Sequence, residues 1–223
     1  MLARPVLGVA RDLLGAVVTA RSSGGTVAVR LTEVEAYAGL RDPASHAFRG
    51  PTTRTAVMFG PPGYLYVYFT YGMHWCANIV CDVDGTAAAV LLRAGEVVSG
   101  RDLARSRRPA ARVDRDLARG PARLAGVLGL TGADSGADLC SAGGAIRVHR
   151  PDSVGERAVR TGPRVGIRAA ADWPWRFWLP AEPTVTAYRP AARPRSRGSE
   201  PAGVMEQTVR RPAVGGAAMK EDV

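Results

Sequence analysis

Two carboxylates, Glu33 and Glu35, stand two residues apart in the stretch LTEVEAY (31–37), which ends on Tyr37. Further along, YLYVYFTYGMHW (64–75) sets Tyr64, Tyr66, Tyr68 and Tyr71 within eight positions. Side chains alternate along a β-strand, so Glu33, Glu35 and Tyr37 are expected on one face, and Tyr64, Tyr66 and Tyr68 on one face of a second strand. A face that mixes carboxylates with an aromatic ring is too charged for a core and too aromatic for ordinary surface, and it suits the wall of a site. Aromatic faces sandwich nucleobases, each stacked base being worth roughly 1–3 kcal/mol. An apolar or aromatic side chain on a hairpin tip, where Tyr71 is expected, wedges between base steps. A carboxylate beside such a slot can act as general base on a water. If that water attacks the sugar carbon bearing the base, the carboxylate also stabilises the oxocarbenium-like charge of the transition state. The spacing leaves either Glu33 or Glu35 as that base. Arg93, at the end of AAAVLLRA (87–94), is placed either to orient the carboxylate or water or to form a plain salt bridge.

The elements that must hold these residues follow from periodicity. PVLGVARDLL (5–14) carries Val6, Val9, Leu13 and Leu14 on one side of a helix. AVVTA (16–20) and TVAVRLTEVEAY (26–37) flank RSSGG as two strands around a turn, and YLYVYF (64–69) and HWCANIVCDV (74–83) form a second hairpin with Tyr71 and Gly72 in its tip. Between these hairpins, residues 38–63 lack periodicity and make a long loop of the kind that is functional or disordered. AAAVLLRA reads as a buried strand. GRDLARSRRPAARVDRDLAR (100–119) reads as helix on both sides of Pro109, and GPARLAGVLGL (120–130) as a helix with proline in its first turn. AIRVHR (145–150) and RVGIRAA (164–170) read as strands. Hairpins and helices in mixed order give an α+β fold: a single domain with a mostly antiparallel curved β-sheet, flanking helices and a protruding β-hairpin. The catalytic domain is expected over 1–190, and the Pro- and Arg-rich residues 191–223 as a disordered tail.

Charge narrows the partners. The net charge of +10 and a pI near 10.5 favour a polyanion, nucleic acid before an anionic membrane. No stretch has the length of a membrane span. The first twenty residues faintly imitate a signal peptide, but Arg11 and Asp12 interrupt the apolar run. Cys76, Cys81 and Cys140 form no C-x-x-C pair and read as buried thiols of a reducing compartment, which points to the cytoplasm. His46, His74 and His149 form no metal-ligand cluster, and no phosphate loop or dinucleotide fingerprint is present, so neither metal nor cofactor is expected. Lys220 is the only lysine, which leaves a lysine nucleophile no place outside the tail.

In order along the chain, TEVEAY, SHAFRG, MFGPPGYLYVYFTYGMHWCANIV, VLLRA, RDLARGPARL and RVGIRAAADWPWRFWL resemble the alkyladenine (3-methyladenine) DNA glycosylases of vertebrates and bacteria. The resemblance covers about residues 5–183 and not the tail. It implies Glu35 as the general base and Arg93 as the residue that holds the water or carboxylate. It further implies Tyr37, His46 and Tyr68 as walls of the base pocket, Asn78 as the residue excluding the exocyclic amino group of normal guanine, and Tyr71 as the side chain filling the gap left by the flipped nucleotide. The activity implied is monofunctional excision of alkylated or deaminated purines from double-stranded DNA, by a monomer, in base-excision repair. A nucleic-acid-binding module without catalysis would leave Glu35 without purpose on a stacking face, and a hydrolase of free nucleosides would not use Tyr71 or the charge.

Overall fold

The computed structural model describes residues 1–150 and 158–192 and places a single antiparallel sheet at the centre of an α+β domain. In chain order the elements are α1 (Val6–Leu13), β1 (Val17–Ser22), β2 (Gly25–Tyr37), β3 (Leu65–Thr70), β4 (His74–Val80), β5 (Ala89–Ser99), α2 (Arg101–Arg107), α3 (Pro121–Leu128), β6 (Ile146–His149), β7 (Arg160–Gly162) and β8 (Arg176–Trp178). The strand order is β3–β4–β5–β2–β1–β6. β2 is central: one edge pairs with β5 from Ala28 to Tyr37, while the other pairs first with β1 and then, at Glu33–Glu35, with β8. Irregularities between Leu31 and Val34 break the register beside Glu33.

Alternation decides which side of the sheet does what. Val34 and Ala36 of β2, Leu65 and Val67 of β3, Ala77 and Ile79 of β4, and Val90 and Leu92 of β5 join α1 and α3 in the main core. α1 shows the physical reason plainly, since Val6, Val9, Ala10 and Leu13 recur at helical spacing and all four are buried. On the opposite side of the same strands, Tyr66, Val80 and Ala89 pack with Ala47 and Met58 from the 38–63 loop. That loop contains two short 3-10 turns, Gly39–Arg41 and Ala56–Phe59, and otherwise follows an irregular path. Helices therefore cover one face, and the loop covers the face that carries Glu33, Glu35 and Tyr37.

The β3–β4 hairpin closes through Tyr71, Gly72 and Met73, with Thr70 opposite His74. Tyr71 and Gly72 both take positive φ, +52° and +67°. For glycine this is free, but a side chain in that region costs roughly 1–2 kcal/mol. Tyr71 is nevertheless 85% exposed, with Phe69 and Met73 exposed beside it.

Three expectations are corrected. After Pro109 only a 3-10 turn forms, Asp114–Asp116. The backbone that follows is drawn onto the sheet, where Gly95 N–H donates to Ala118 O and Arg119 bridges Ala94, so 117–119 cannot continue as helix. Residues 164–170 are not a strand: Gly166 sits at φ +73° and the short strands lie on either side, as β7 and β8. Cys140 is exposed, whereas Cys76 and Cys81 are buried as expected. The expected strand at 87–94 instead runs 89–99, and Pro121 occupies the first turn of α3 as anticipated. The tail, from residue 193 on, lies outside the described residues.

Candidate active site

Between the sheet and the 38–63 loop lies a cavity of about 390 Å³, within the usual range for a small-molecule site. The seven residues to which the resemblance assigns roles line it: Glu35, Tyr37, His46, Tyr68, Tyr71, Asn78 and Arg93. Their convergence follows from the pleat, since Glu35 and Tyr37 on β2, Tyr66 and Tyr68 on β3, Cys76 and Asn78 on β4, and Leu91 and Arg93 on β5 all alternate with core residues. Tyr64 and Glu33 do not line it.

The structure separates the two carboxylates. Both side chains are wholly buried. Glu33 is held inside the protein: its Oε1 accepts from Arg93 Nε, Arg176 Nε and Thr186 Oγ1, each at 2.8 Å, and its Oε2 accepts from Thr186 N at 2.7 Å. Glu35 reaches the cavity. Its Oε1 accepts from Val165 N at 2.7 Å and faces Arg93 Nη1 at 3.2 Å, while Oε2 accepts from Tyr37 Oη at 2.8 Å. A carboxylate oxygen has two acceptor positions, so Oε2 keeps one for a group in the cavity. The electrostatics are set by these neighbours. Burial, and then the Glu35 charge, hold the Tyr37 phenol well above its ordinary pKa, so it remains a donor. Burial works against the charge on Arg93, but Glu35 and Glu33 outweigh it and raise its pKa, so the guanidinium is a fixed cation.

The aromatic slot is built from rings at known angles. Tyr66 and Tyr68 stack at 5.7 Å with 27° between their planes, and His46 stands edge-on to Tyr68 at 4.5 Å. Tyr68 is held above its usual phenol range by burial first and then by Cys76. Asn78 is buried and donates from Nδ2 to the Tyr66 carbonyl at 3.1 Å. His46 as a residue is open to solvent, yet its ring packs against the tyrosines, with Nδ1 3.1 Å from Tyr66 Oη and Arg54 Nη2 3.3 Å from both ring nitrogens. Burial of the ring, and then the Arg54 charge, lower the His46 pKa to about 4. It is therefore neutral at physiological pH and supplies one donor and one acceptor rather than a charge. His46→Gln is expected to change the rate of any reaction here by the same factor from about pH 5.5 to 8, since His46 protonates only below that window. A ratio of mutant to wild-type rates that drifts with pH would show the imidazole titrating within it.

Sequence reasoning missed four contributors. Val165 acts through its backbone N–H, which no side-chain pattern betrays. Arg54, whose guanidinium lies 5.5 Å from the Tyr68 ring, sits in the aperiodic loop. Tyr66 is visible in the alternating row but carries no separate role there. From sequence Glu33 reads as an alternative base, not as the acceptor that anchors Arg93. Among the described residues no cluster of His, Cys, Asp and Glu could hold a metal ion, and no helix is long and apolar enough to cross a membrane.

Comparison with known proteins places the chain in a family. The family model described as methylpurine-DNA glycosylase matches residues 1–183. A relative from Frankia casuarinae, named a candidate 3-methyladenine DNA glycosylase, is 58% identical over 86% of this chain and 92% of its own length. Relatives of the same name from Streptomyces avermitilis and Mycobacterium tuberculosis are 53% and 45% identical, over 87% and 89% of this chain and 92% and 97% of their own lengths.

Proposed function

Because the chain belongs to the methylpurine-DNA glycosylase family, we propose that it draws a damaged purine out of double-stranded DNA into the cavity beside Glu35 and hydrolyses its N-glycosidic bond there. The family's activity is that of a hydrolytic DNA glycosylase in base-excision repair, so DNA is the substrate. The observation that carries the finer reading is the Glu35 carboxylate, wholly buried at an aromatic cavity with one acceptor position uncommitted.

In the reaction, a water donates a hydrogen bond to Glu35 Oε2 and attacks the anomeric carbon. The bond to the purine breaks, the water's proton passes to Glu35, and the anomeric hydroxyl of an abasic site remains. Val165 N–H and Arg93 hold the carboxylate aimed, while its negative charge faces the oxocarbenium-like sugar. A purine alkylated on a ring nitrogen is already cationic and leaves without a further proton. A neutral lesion needs one from elsewhere, and the neutral His46 is not its source. Tyr37, Tyr68 and His46 wall the base, and Asn78 opposes the exocyclic amino group of normal guanine. With Lys220 as the only lysine, the described residues offer no lysine for a Schiff base, and the product is an intact abasic strand. The protein acts as a cytoplasmic monomer. Its catalytic domain is 1–190, and residues 191–223 add salt-sensitive, sequence-independent contact with phosphates.

Tyr71 takes the place of the extruded nucleotide. Its exposure and left-handed backbone mean that the fold gains little from the side chain. Tyr71→Ala is accordingly expected to leave the melting temperature unchanged while lowering excision from duplex by about tenfold or more, because the unstacking cost of a few kcal/mol is no longer offset. Excision from single strands should fall much less. Equal losses on both substrates would remove the wedge role.

The direct test is incubation with labelled duplexes carrying hypoxanthine, ethenoadenine or methylated purines, followed by hot alkali. Alkali-dependent cleavage at the lesion supports the reading and ranks the substrates. Duplex binding with no cleavage on any lesion would reduce the protein to a reader of DNA.

A further inference from the structure

Outside the cavity lining, one buried ion pair has no part in the chemistry just described. Arg164 and Asp42 are both wholly buried, with Arg164 Nη1 2.5 Å from Asp42 Oδ2 and Nη2 2.9 Å from Oδ1. Arg164 Nη1 also donates to Ala36 O at 2.9 Å. Its guanidinium lies 4.6 Å from the Tyr37 ring centre and 5.2 Å from that of Trp175. Asp42 in turn accepts from the backbone N–H groups of Ala38 and Ala44, at the start of the loop that roofs the cavity. Arg164 Nε is buried with no partner among the described residues.

A buried pair of this kind adds little stability over apolar residues of the same volume, because desolvation cancels much of the attraction. Its connections point elsewhere. The peptide bond that follows Arg164 carries the Val165 N–H that donates to Glu35 Oε1, and the ring beneath its guanidinium carries the hydroxyl that donates to Glu35 Oε2. Ala36, whose carbonyl it holds, lies between Glu35 and Tyr37. One guanidinium thus fixes both hydrogen-bond donors of the carboxylate, and Asp42 fixes the guanidinium while tying the roof loop to it.

We propose that Asp42 and Arg164 are a positioning pair that sets the orientation of Glu35 through Val165 N–H and Tyr37. The role rests on Glu35 acting on water as read above. Lysine at 164 keeps the charge but cannot bridge both Asp42 oxygens, hold Ala36 O and lie flat on Tyr37 at once. Asparagine at 42 keeps the volume and loses the charge that aligns the guanidinium.

The test uses the full chain and a duplex carrying hypoxanthine, or whichever lesion wild type excises best. Single-turnover excision at saturating enzyme is measured beside affinity for a duplex with an uncleavable abasic analogue. Arg164→Lys and Asp42→Asn are each expected to slow excision about 10–100-fold, as misplacement by an ångström does, with affinity within about threefold of wild type. In a Tyr37→Phe background the cost of Arg164→Lys should shrink, since part of its route to Glu35 is already gone. Because Asp42→Asn strips one partner from a buried pair, melts accompany both variants and rates are compared at a temperature where each is folded; if neither folds, Asp42→Glu, which keeps the charge and displaces the guanidinium, carries the same expectations. Excision within about twofold of wild type, affinity lost in step with rate, or a full multiplicative loss in the Tyr37→Phe background would overturn the pair's role. Wild type that excises no lesion would instead overturn the hydrolytic reading beneath it.

Discussion

Glu35→Gln is expected to lower single-turnover excision about 10³-fold or more while leaving the fold and duplex binding intact. General-base action alone supplies about 10²–10⁴-fold, and the substitution also removes the anion facing the sugar. The fold should tolerate it. With the amide oxygen turned to Val165 N–H and Arg93 Nη1, the new NH₂ faces Tyr37 Oη, which can turn from donor to acceptor. Arg93 also keeps Glu33 as its main partner. Affinity for DNA should hold or rise, because a negative charge near the phosphates has gone. Melting curves, duplex titration and alkali-revealed cleavage on the same preparation check all three. A variant within tenfold of wild-type rate would transfer the base role away from Glu35.

The sequence made the site's materials legible and left its assignments open. Alternation put Glu33, Glu35 and Tyr37 on one face, and that face is the one opposite Val34 and Ala36 in the core. Alternation cannot tell which carboxylate meets a cavity, because both are buried and both touch Arg93. What separates them comes from residues over 120 positions away: Arg176 and Thr186 on Glu33, Val165 on Glu35. The Arg176 contact exists because β8 pairs with β2 at Glu33–Glu35, and a strand of three residues carries too little pattern to be placed from sequence. Resemblance to a family supplied His46, whose exposed loop position gave no signal of its own.

The failures in the fold have the same origin. RVGIRAA has the apolar alternation of a strand, but Arg164 is wholly buried against Asp42 and Gly166 takes a left-handed turn, so the segment delivers a backbone N–H to the site instead of extending the sheet. Residues 110–119 have helix-forming composition without an apolar stripe, and pairing of 118–119 with β5 decided against helix. By contrast, α1, both hairpins and α3 were readable because each carries its own period and its own stop signals. Local pattern sufficed where an element packs on itself or its sequence neighbour. It failed where a distant side chain sets the backbone.

Glu33→Gln is expected to destabilise the protein by about 3–5 kcal/mol, the usual cost of stripping one partner from a buried ionic cluster. At roughly 2–4 °C per kcal/mol for a domain of this size, melting should fall by about 6–20 °C. The contrast with Glu35→Gln lies in the donors. Glu33 Oε1 receives Arg93, Arg176 and the Thr186 hydroxyl, and Oε2 receives the Thr186 N–H. An amide nitrogen at either position therefore meets a donor that cannot reverse: an arginine on one side, a backbone N–H on the other. Excision should fall as well, in step with the folded fraction, and partly recover at lower temperature. Thermal melts of the two glutamine variants side by side check the assignment. If Glu33→Gln melts within about 2 °C of wild type while Glu35→Gln unfolds, the structural and catalytic roles of the two carboxylates are reversed.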